Sequence, residues 1–161
     1  MTRADDRLTH WLASRRLLSG LSTREIPWKD CRSWGFGNGR LSHMTGWFFS
    51  VIGVCAHSNM PGLDACVQPI IDQPETGILG FVVRKTPDGH EWLLQAKAEP
   101  GNVGDVQIAP SVQATRSNYT CLHGGTPTSY LDMFTGSKSC TVTAVQSLQS
   151  EHGSRFLGKY N

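Results

Sequence analysis

Long apolar runs are missing from this sequence. The richest stretch, Trp47 to Ala56, falls far short of the roughly 20 residues that a bilayer-spanning helix needs. The opening ten residues carry Arg3, Asp5, Asp6 and Arg7 where a secretory leader requires an apolar core. No membrane partner is expected, and the expected location is the cytoplasm. Paired cysteines are also missing: Cys31, Cys55, Cys66, Cys121 and Cys140 are odd in number, widely spaced and without a Cys-x-x-Cys motif, which argues against a disulfide framework or a zinc site. Charge is sparse as well, at 17% Asp, Glu, Lys and Arg with a net of +2. Residues 1–40 hold 8 Lys/Arg against 4 Asp/Glu, and the remainder hold 7 against 9, so the basic excess sits at the start. Arg3, Arg7, Arg15 and Arg16 read as the wet face of a helix rather than a nucleic-acid footprint, which would show a larger surplus interleaved with aromatics. No nucleic-acid partner is expected.

What is present suits one globular domain. The chain has 161 residues, 39% of them hydrophobic, and 17 glycines. Leu8, Trp11, Leu12, Arg15 and Leu18 recur at helical spacing, with Asp5 and Asp6 near the positive end of the helix dipole and Gly20 placed to close it, which predicts an amphipathic helix over residues 1–20. The segment Glu25 to Arg40 has no clear period and ends in Gly35-Phe36-Gly37-Asn38-Gly39. With no Lys-Ser/Thr following, that run reads as a surface loop rather than a phosphate cradle.

From Gly46 onward, short apolar runs punctuated by Gly and Pro predict strands over Trp47–Cys55, Val67–Ile71, Ile78–Arg84, Glu91–Ala98 and Val103–Ile108. Pro87-Asp88-Gly89 predicts a hairpin turn between the third and fourth. Val142–Leu148 reads as a further strand, and Ser150, with Glu151 in the first turn, as the cap of a short helix carrying Phe156 and Leu157. The expected class is α+β with a mixed or mostly antiparallel sheet, the domain running over residues 21–161.

Two stretches carry candidate chemistry. On the fourth run, His90, Trp92, Leu94, Ala96 and Ala98 alternate with Glu91, Leu93, Gln95, Lys97 and Glu99. The second face ends in an amide, a cation and a carboxylate just before Pro100-Gly101-Asn102, a set suited to a polar substrate and proton transfer, or equally to a solvated face with ordinary ion pairs. In Gln107 to Tyr119, an extended chain would align Gln113, Thr115, Ser117 and Tyr119 opposite Val112, Ala114, Arg116 and Asn118. Arg116 there could clamp a diphosphate through its fork of N–H groups, or the segment could be a polar edge that satisfies itself. Glu75, beside Pro74, could hold a sugar hydroxyl or cap a turn. His43, His57 and His123 are weaker candidates for proton transfer.

Several long motifs stand in order: Gln68-Pro69-Ile70-Ile71, Gly77-Ile78-Leu79-Gly80, Gln95-Ala96-Lys97-Ala98-Glu99-Pro100-Gly101-Asn102 and Gln113-Ala114-Thr115-Arg116-Ser117-Asn118-Tyr119-Thr120. His43 to Phe49, Tyr130-Leu131 with Phe134, and Gln149-Ser150-Glu151 with Gly153 and Phe156 extend the pattern over nearly the whole chain. This set resembles the NDP-hexose 2,3-dehydratase family of deoxysugar pathways. The resemblance implies a Nudix-like sheet flanked by helices, a nucleotide-sugar substrate, and removal of water across C2–C3 of an NDP-4-keto-6-deoxyhexose with no redox or metal cofactor.

Chemistry laid on the matching segments makes Glu99 the candidate base, Lys97 or Tyr119 the electrophile and Arg116 the diphosphate clamp. Gln68, Glu75, Gln95, Asn102, Gln113, Thr115, Asn118 and Tyr130 are the remaining candidate substrate contacts. Family members usually carry two copies of this unit and this chain holds one, so a homodimer is expected, with a downstream reductase as a further possible partner. Two alternatives stay open: the same fold reused for another isomerisation, elimination or cyclisation on a natural-product intermediate, and a non-catalytic nucleotide-sugar-binding subunit.

Overall fold

The computed structural model describes residues 3–62, 65–120, 126–136 and 145–161, and the chain divides into two compact units. The first comprises Met1–Glu25, Ile78–Ala114 and Pro127–Val142; the second comprises Ile26–Gly77, Thr115–Thr126 and Thr143–Asn161. The architecture is sheet-rich with few helices, an α+β arrangement.

In the second unit, strands β1 (Trp34–Gly37), β2 (Arg40–His43), β3 (Ser50–Ala56) and β4 (Cys66–Asp72) form an antiparallel sheet in sequence order. The expected glycine-rich loop is in fact a hairpin. Asn38 (φ 51°) and Gly39 (φ 72°) form the tight turn whose two positive φ values match the twist of paired strands, an Asn-Gly signal that the surrounding glycines obscured. Leu41 and Ile70 are the buried apolar residues of this sheet. Pro69 is tolerated in β4 because β4 ends the order and a proline has no N–H to donate outward. Nearby, Ile71 bridges Phe156 in parallel, donating to the Arg155 carbonyl and accepting from the Leu157 amide.

That bridge displaces the helix expected after Ser150. Ser150 instead bridges Tyr160 antiparallel, Gln149 and Asn161 exchange backbone hydrogen bonds, and Gly158 sits at φ 56°. The backbone groups of this segment are satisfied by partners distant in sequence, so a helix has nothing to add. Of the strand expected over Val142–Leu148, residues 145–148 are not in a strand and the rest lies outside the described residues.

In the first unit, α1 (Arg3–Ser19) ends at Gly20, whose φ of 61° closes the helix as expected. The apolar stripe is only partly covered: Trp11 and Leu12 are half-buried, while Leu8 and Leu18 are exposed. The helix is fastened instead by Arg16, whose Nε donates to the Val106 carbonyl at 3.1 Å, so Arg16 does not belong to a purely wet face. Its guanidinium lies over Gly104, where a Cβ would meet it at 3.2 Å.

Each of the two long apolar runs of this unit is cut in two. The first becomes β5 (Gly77–Gly80) and β6 (Val83–Thr86); the second becomes β7 (Gly89–Trp92) and β8 (Gln95–Ala98). The interruption follows from one buried hydroxyl: Ser111 Oγ accepts from the Val82 amide at 2.8 Å and donates to the Leu93 carbonyl, diverting both groups from a continuous ladder. The expected turn at Pro87-Asp88 joins β6 to β7, with Thr86 opposite Gly89. β8 pairs antiparallel with β9 (Val106–Ala109), and β5 pairs with β10 (Val112–Thr115), where Val112 and Ala114 are buried and Gln113 and Thr115 alternate with them.

Candidate active site

The sequence candidates fall into both units, and each group is described within its own. In the first unit, the alternation of β8 holds: Gln95 and Lys97 share one face while Ala96 and Ala98 share the other. Lys97 Nζ lies 2.8 Å from Glu99 Oε1, both side chains being partly exposed. The loop after β8 is built to keep them there. Asn102 Nδ2 donates to the Lys97 carbonyl at 3.0 Å, the Asn102 amide donates to the Glu99 carbonyl, and the Glu99 amide donates to the Asp105 carbonyl. Gly104 and Asp105 take positive φ to allow the return into β9. Gln95 spends its side-chain nitrogen on the Pro110 carbonyl at 2.8 Å. Gln113 is half-buried on β10, and Tyr130 is exposed at a left-handed position (φ 62°) before a 3-10 turn over Leu131–Met133.

In the second unit, the stretch after β10 is not extended. Arg116–Tyr119 form a single helical turn, α2, which breaks the alternating face expected of Gln113, Thr115, Ser117 and Tyr119. Ser117 is buried while Arg116 and Asn118 are exposed and Tyr119 is half-buried. The cause lies 42 residues upstream: Glu75 Oε2 accepts from the Ser117 hydroxyl at 2.7 Å and from the Ser117 amide at 3.2 Å. Thr115 Oγ1 is 3.2 Å from Ser117 Oγ, and buried Lys159 donates to the Glu75 carbonyl at 2.9 Å. Burial pulls the Glu75 pKa upward, yet the hydrogen bonds from Ser117 and Thr115 and the Lys159 charge outweigh it and leave the carboxyl below its ordinary value. A carboxylate so engaged is a weak base. Gln68 donates from Nε2 to the Ser154 carbonyl at 3.2 Å, holding the C-terminal segment beside β4.

Lys159 was not legible as a participant, because a lysine near the end of a chain carries no sign of burial. His43 lies in an aromatic cluster, 4.6 Å from the Phe48 ring centre and 5.5 Å from Trp34, with Nδ1 2.8 Å from Thr45 Oγ1. His57 Nε2 lies 3.3 Å from the exposed Cys55 thiol. His123 is outside the described residues.

A hollow of about 210 Å³ lies between α1 and the β8–β9 pair, lined by Arg15, Leu18, Ser19, Ala96, Ala98 and Val106. It occupies the face of β8 opposite Lys97 and is smaller than the roughly 300–1,000 Å³ typical of small-molecule sites, too small for a nucleotide sugar.

A family model for NDP-hexose 2,3-dehydratase matches residues 5–161. The chain is 40% identical over 153 residues to a dTDP-4-dehydro-6-deoxy-alpha-D-glucopyranose 2,3-dehydratase of Streptomyces violaceoruber, covering 94% of this chain and 34% of that protein. It is 42% identical over 153 residues to the enzyme of the same name from Saccharopolyspora spinosa, covering 94% and 31%, and 40% identical over 158 residues to that of Amycolatopsis orientalis, covering 94% and 33%. The chain thus spans about a third of the length of these curated relatives. With the matched region running through the Lys97–Glu99 pair, the Glu75–Ser117 cluster and nearly every other described residue, the chain belongs to the NDP-hexose 2,3-dehydratase family.

Proposed function

We propose that this protein takes part in eliminating water across C2–C3 of a dTDP-4-keto-6-deoxyhexose in deoxysugar biosynthesis. The observation that carries the reading is the family match over residues 5–161, together with about 40% identity to three relatives named for that reaction. The ketone at C4 acidifies the proton on C3. A base takes that proton, the electron pair passes into an enolate, and re-formation of the ketone drives a C2=C3 bond as the C2 hydroxyl leaves, protonated, as water. The resulting enol tautomerises to a 3,4-diketo sugar.

In this reading Glu99 is the base. Lys97, held beside it, places a cation where charge develops on the C4 oxygen, with Tyr119 as the other candidate donor. Arg116, exposed on α2, binds the diphosphate through its planar fork. Gln95, Asn102, Gln113 and Tyr130 in the first unit, and Gln68, Thr115 and Asn118 in the second, are the accompanying polar groups. The finer fold reading is Nudix-like, and the expected assembly is a homodimer, with a reductase consuming the reactive diketo product.

Incubation of the purified protein with dTDP-4-keto-6-deoxyglucose in deuterium oxide tests the reading. Loss of water with solvent deuterium entering the sugar supports it. Tight binding with neither exchange nor water loss would replace it with a nucleotide-sugar-binding role, and exchange at C3 without water loss with a different proton-transfer reaction.

A further inference from the structure

We propose that Glu75 is a positioning residue that caps α2 from a distant part of the chain and thereby sets how Arg116 is presented to a nucleotide diphosphate. The inference rests on the proposed function for the identity of the ligand, but its structural half stands on contacts within one compact unit.

A helix begins with backbone N–H groups that have no partner inside the helix, and a Ser, Thr, Asp or Asn side chain at the N-cap usually accepts from one of them. Here Thr115 occupies the N-cap position and makes no such bond. The acceptor is Glu75 instead, whose Oε2 takes both the amide and the hydroxyl of Ser117 at 3.2 and 2.7 Å. Glu75 is itself secured at its backbone, where the carbonyl accepts from Lys159 Nζ at 2.9 Å; two residues on, the Gly77 amide donates to the Tyr160 carbonyl at 3.0 Å. Ser117 and Lys159 are each 5% exposed. A rigid anchor thus holds a turn only four residues long, too short to persist through its own hydrogen bonds. Arg116 and Asn118, flanking the anchored Ser117, face solvent.

The same carboxylate could be taken for a direct ligand of a sugar hydroxyl, and the two roles part under substitution. Glu75→Gln keeps the shape but removes the charge that strengthens both Ser117 hydrogen bonds and leaves one accepting oxygen in place of two. If Glu75 acts through Arg116, Glu75→Gln weakens thymidine diphosphate binding about tenfold, and the Glu75→Gln/Arg116→Ala double variant binds no more weakly than Arg116→Ala alone. Turnover at saturating substrate stays within about twofold, the loss appearing in KM. Ser117→Ala, which removes the hydroxyl contacts to Glu75 and Thr115 but leaves the amide bond, gives a smaller loss in the same direction and guards against a Glu75→Gln protein that fails to fold.

Backbone amide exchange read over residues 116–120 supplies an arm that needs no ligand: Glu75→Gln raises the rate there at least about tenfold relative to β3. Unchanged exchange in that turn overturns the proposal whatever the ligand. Additive losses in the double variant, or a kcat loss at unchanged KM, also overturn it and make Glu75 a substrate contact. Absence of diphosphate binding and turnover in the parent protein counts against the proposed function instead, leaving the capping role to be decided by the exchange arm.

Discussion

Lys97 and Glu99 stand two residues apart at the end of β8, their charged atoms 2.8 Å apart, with Asn102 bonded back to the Lys97 carbonyl. Residues at this spacing share a face of an extended chain, so the strand brings cation and carboxylate together, and the loop bonds fix where the strand stops. The pair is partly exposed, so its contribution to stability is small.

Glu99→Gln preserves size and removes basicity. In the proposed reaction it is expected to lower turnover by about 10²–10⁴ fold, the usual contribution of a positioned base, and to suppress deuterium entry equally. Steady-state kinetics with exchange read by mass spectrometry checks this, and near-parental turnover would remove Glu99 from the role.

Lys97→Met separates structure from catalysis. The loss of a partly exposed ion pair is expected to change unfolding free energy by less than about 1 kcal/mol, whereas, in the proposed reaction, loss of the cation is expected to cost about 10² in kcat. Urea unfolding and turnover measured on one preparation give both numbers.

Acid sensitivity follows from two carboxyls held below the ordinary glutamate value of 4.5. For Glu75 burial acts upward but the Ser117 and Thr115 hydrogen bonds and Lys159 outweigh it; for Glu151 the Asn161 side chain, 2.6 Å away, is the main cause. Each is more acidic folded than unfolded, so its stabilisation is present in full above the ordinary value and is lost as pH falls through the lowered folded value. Urea midpoints are expected to be flat from pH 7 to 6 and to fall below pH 5, with a shallower fall in Glu151→Gln. An identical pH slope in that variant would show that Glu151 does not contribute.

Gly39→Ala places a side chain at φ 72° in the β1–β2 turn. A cost of about 1–2 kcal/mol is expected from the left-handed conformation, read as a lower urea midpoint with unchanged slope.

Val112→Ala removes methyl groups from a residue with no exposed surface, between buried Ser111 and half-buried Gln113 on β10. A loss of about 1–3 kcal/mol is expected from transfer and cavity terms together, measured by thermal or urea unfolding.

Much of the strand content could be read locally. The Ser50–Ala56 and Cys66–Asp72 strands lie close to their expected bounds, and the Pro87-Asp88 turn joins the strands it was expected to join, because apolar runs and turn residues act over a few positions. The β1–β2 hairpin was hidden by glycines that argue equally for a loop, and the division of the two longer runs depended on Ser111, whose hydroxyl is 29 residues from one partner and 18 from the other. Family membership was legible from motif order alone, and so was the shared face of Gln95 and Lys97. The bend at Arg116 was not, since it depends on a glutamate and a lysine that sequence spacing does not join.

The sequence by itself determined where strands could form, how β8 sorts its side chains, and which family the chain belongs to, all of which follow from patterns a few residues wide or from motifs in order. Only the tertiary structure decided that Glu75 serves Ser117, that Lys159 is buried beneath it, and that the C-terminal segment pairs with Ile71 and with itself instead of forming a helix. The physical reason is that a buried hydrogen-bonding group must find a partner, and the partner that satisfies it is chosen by proximity in space, which local preference does not encode.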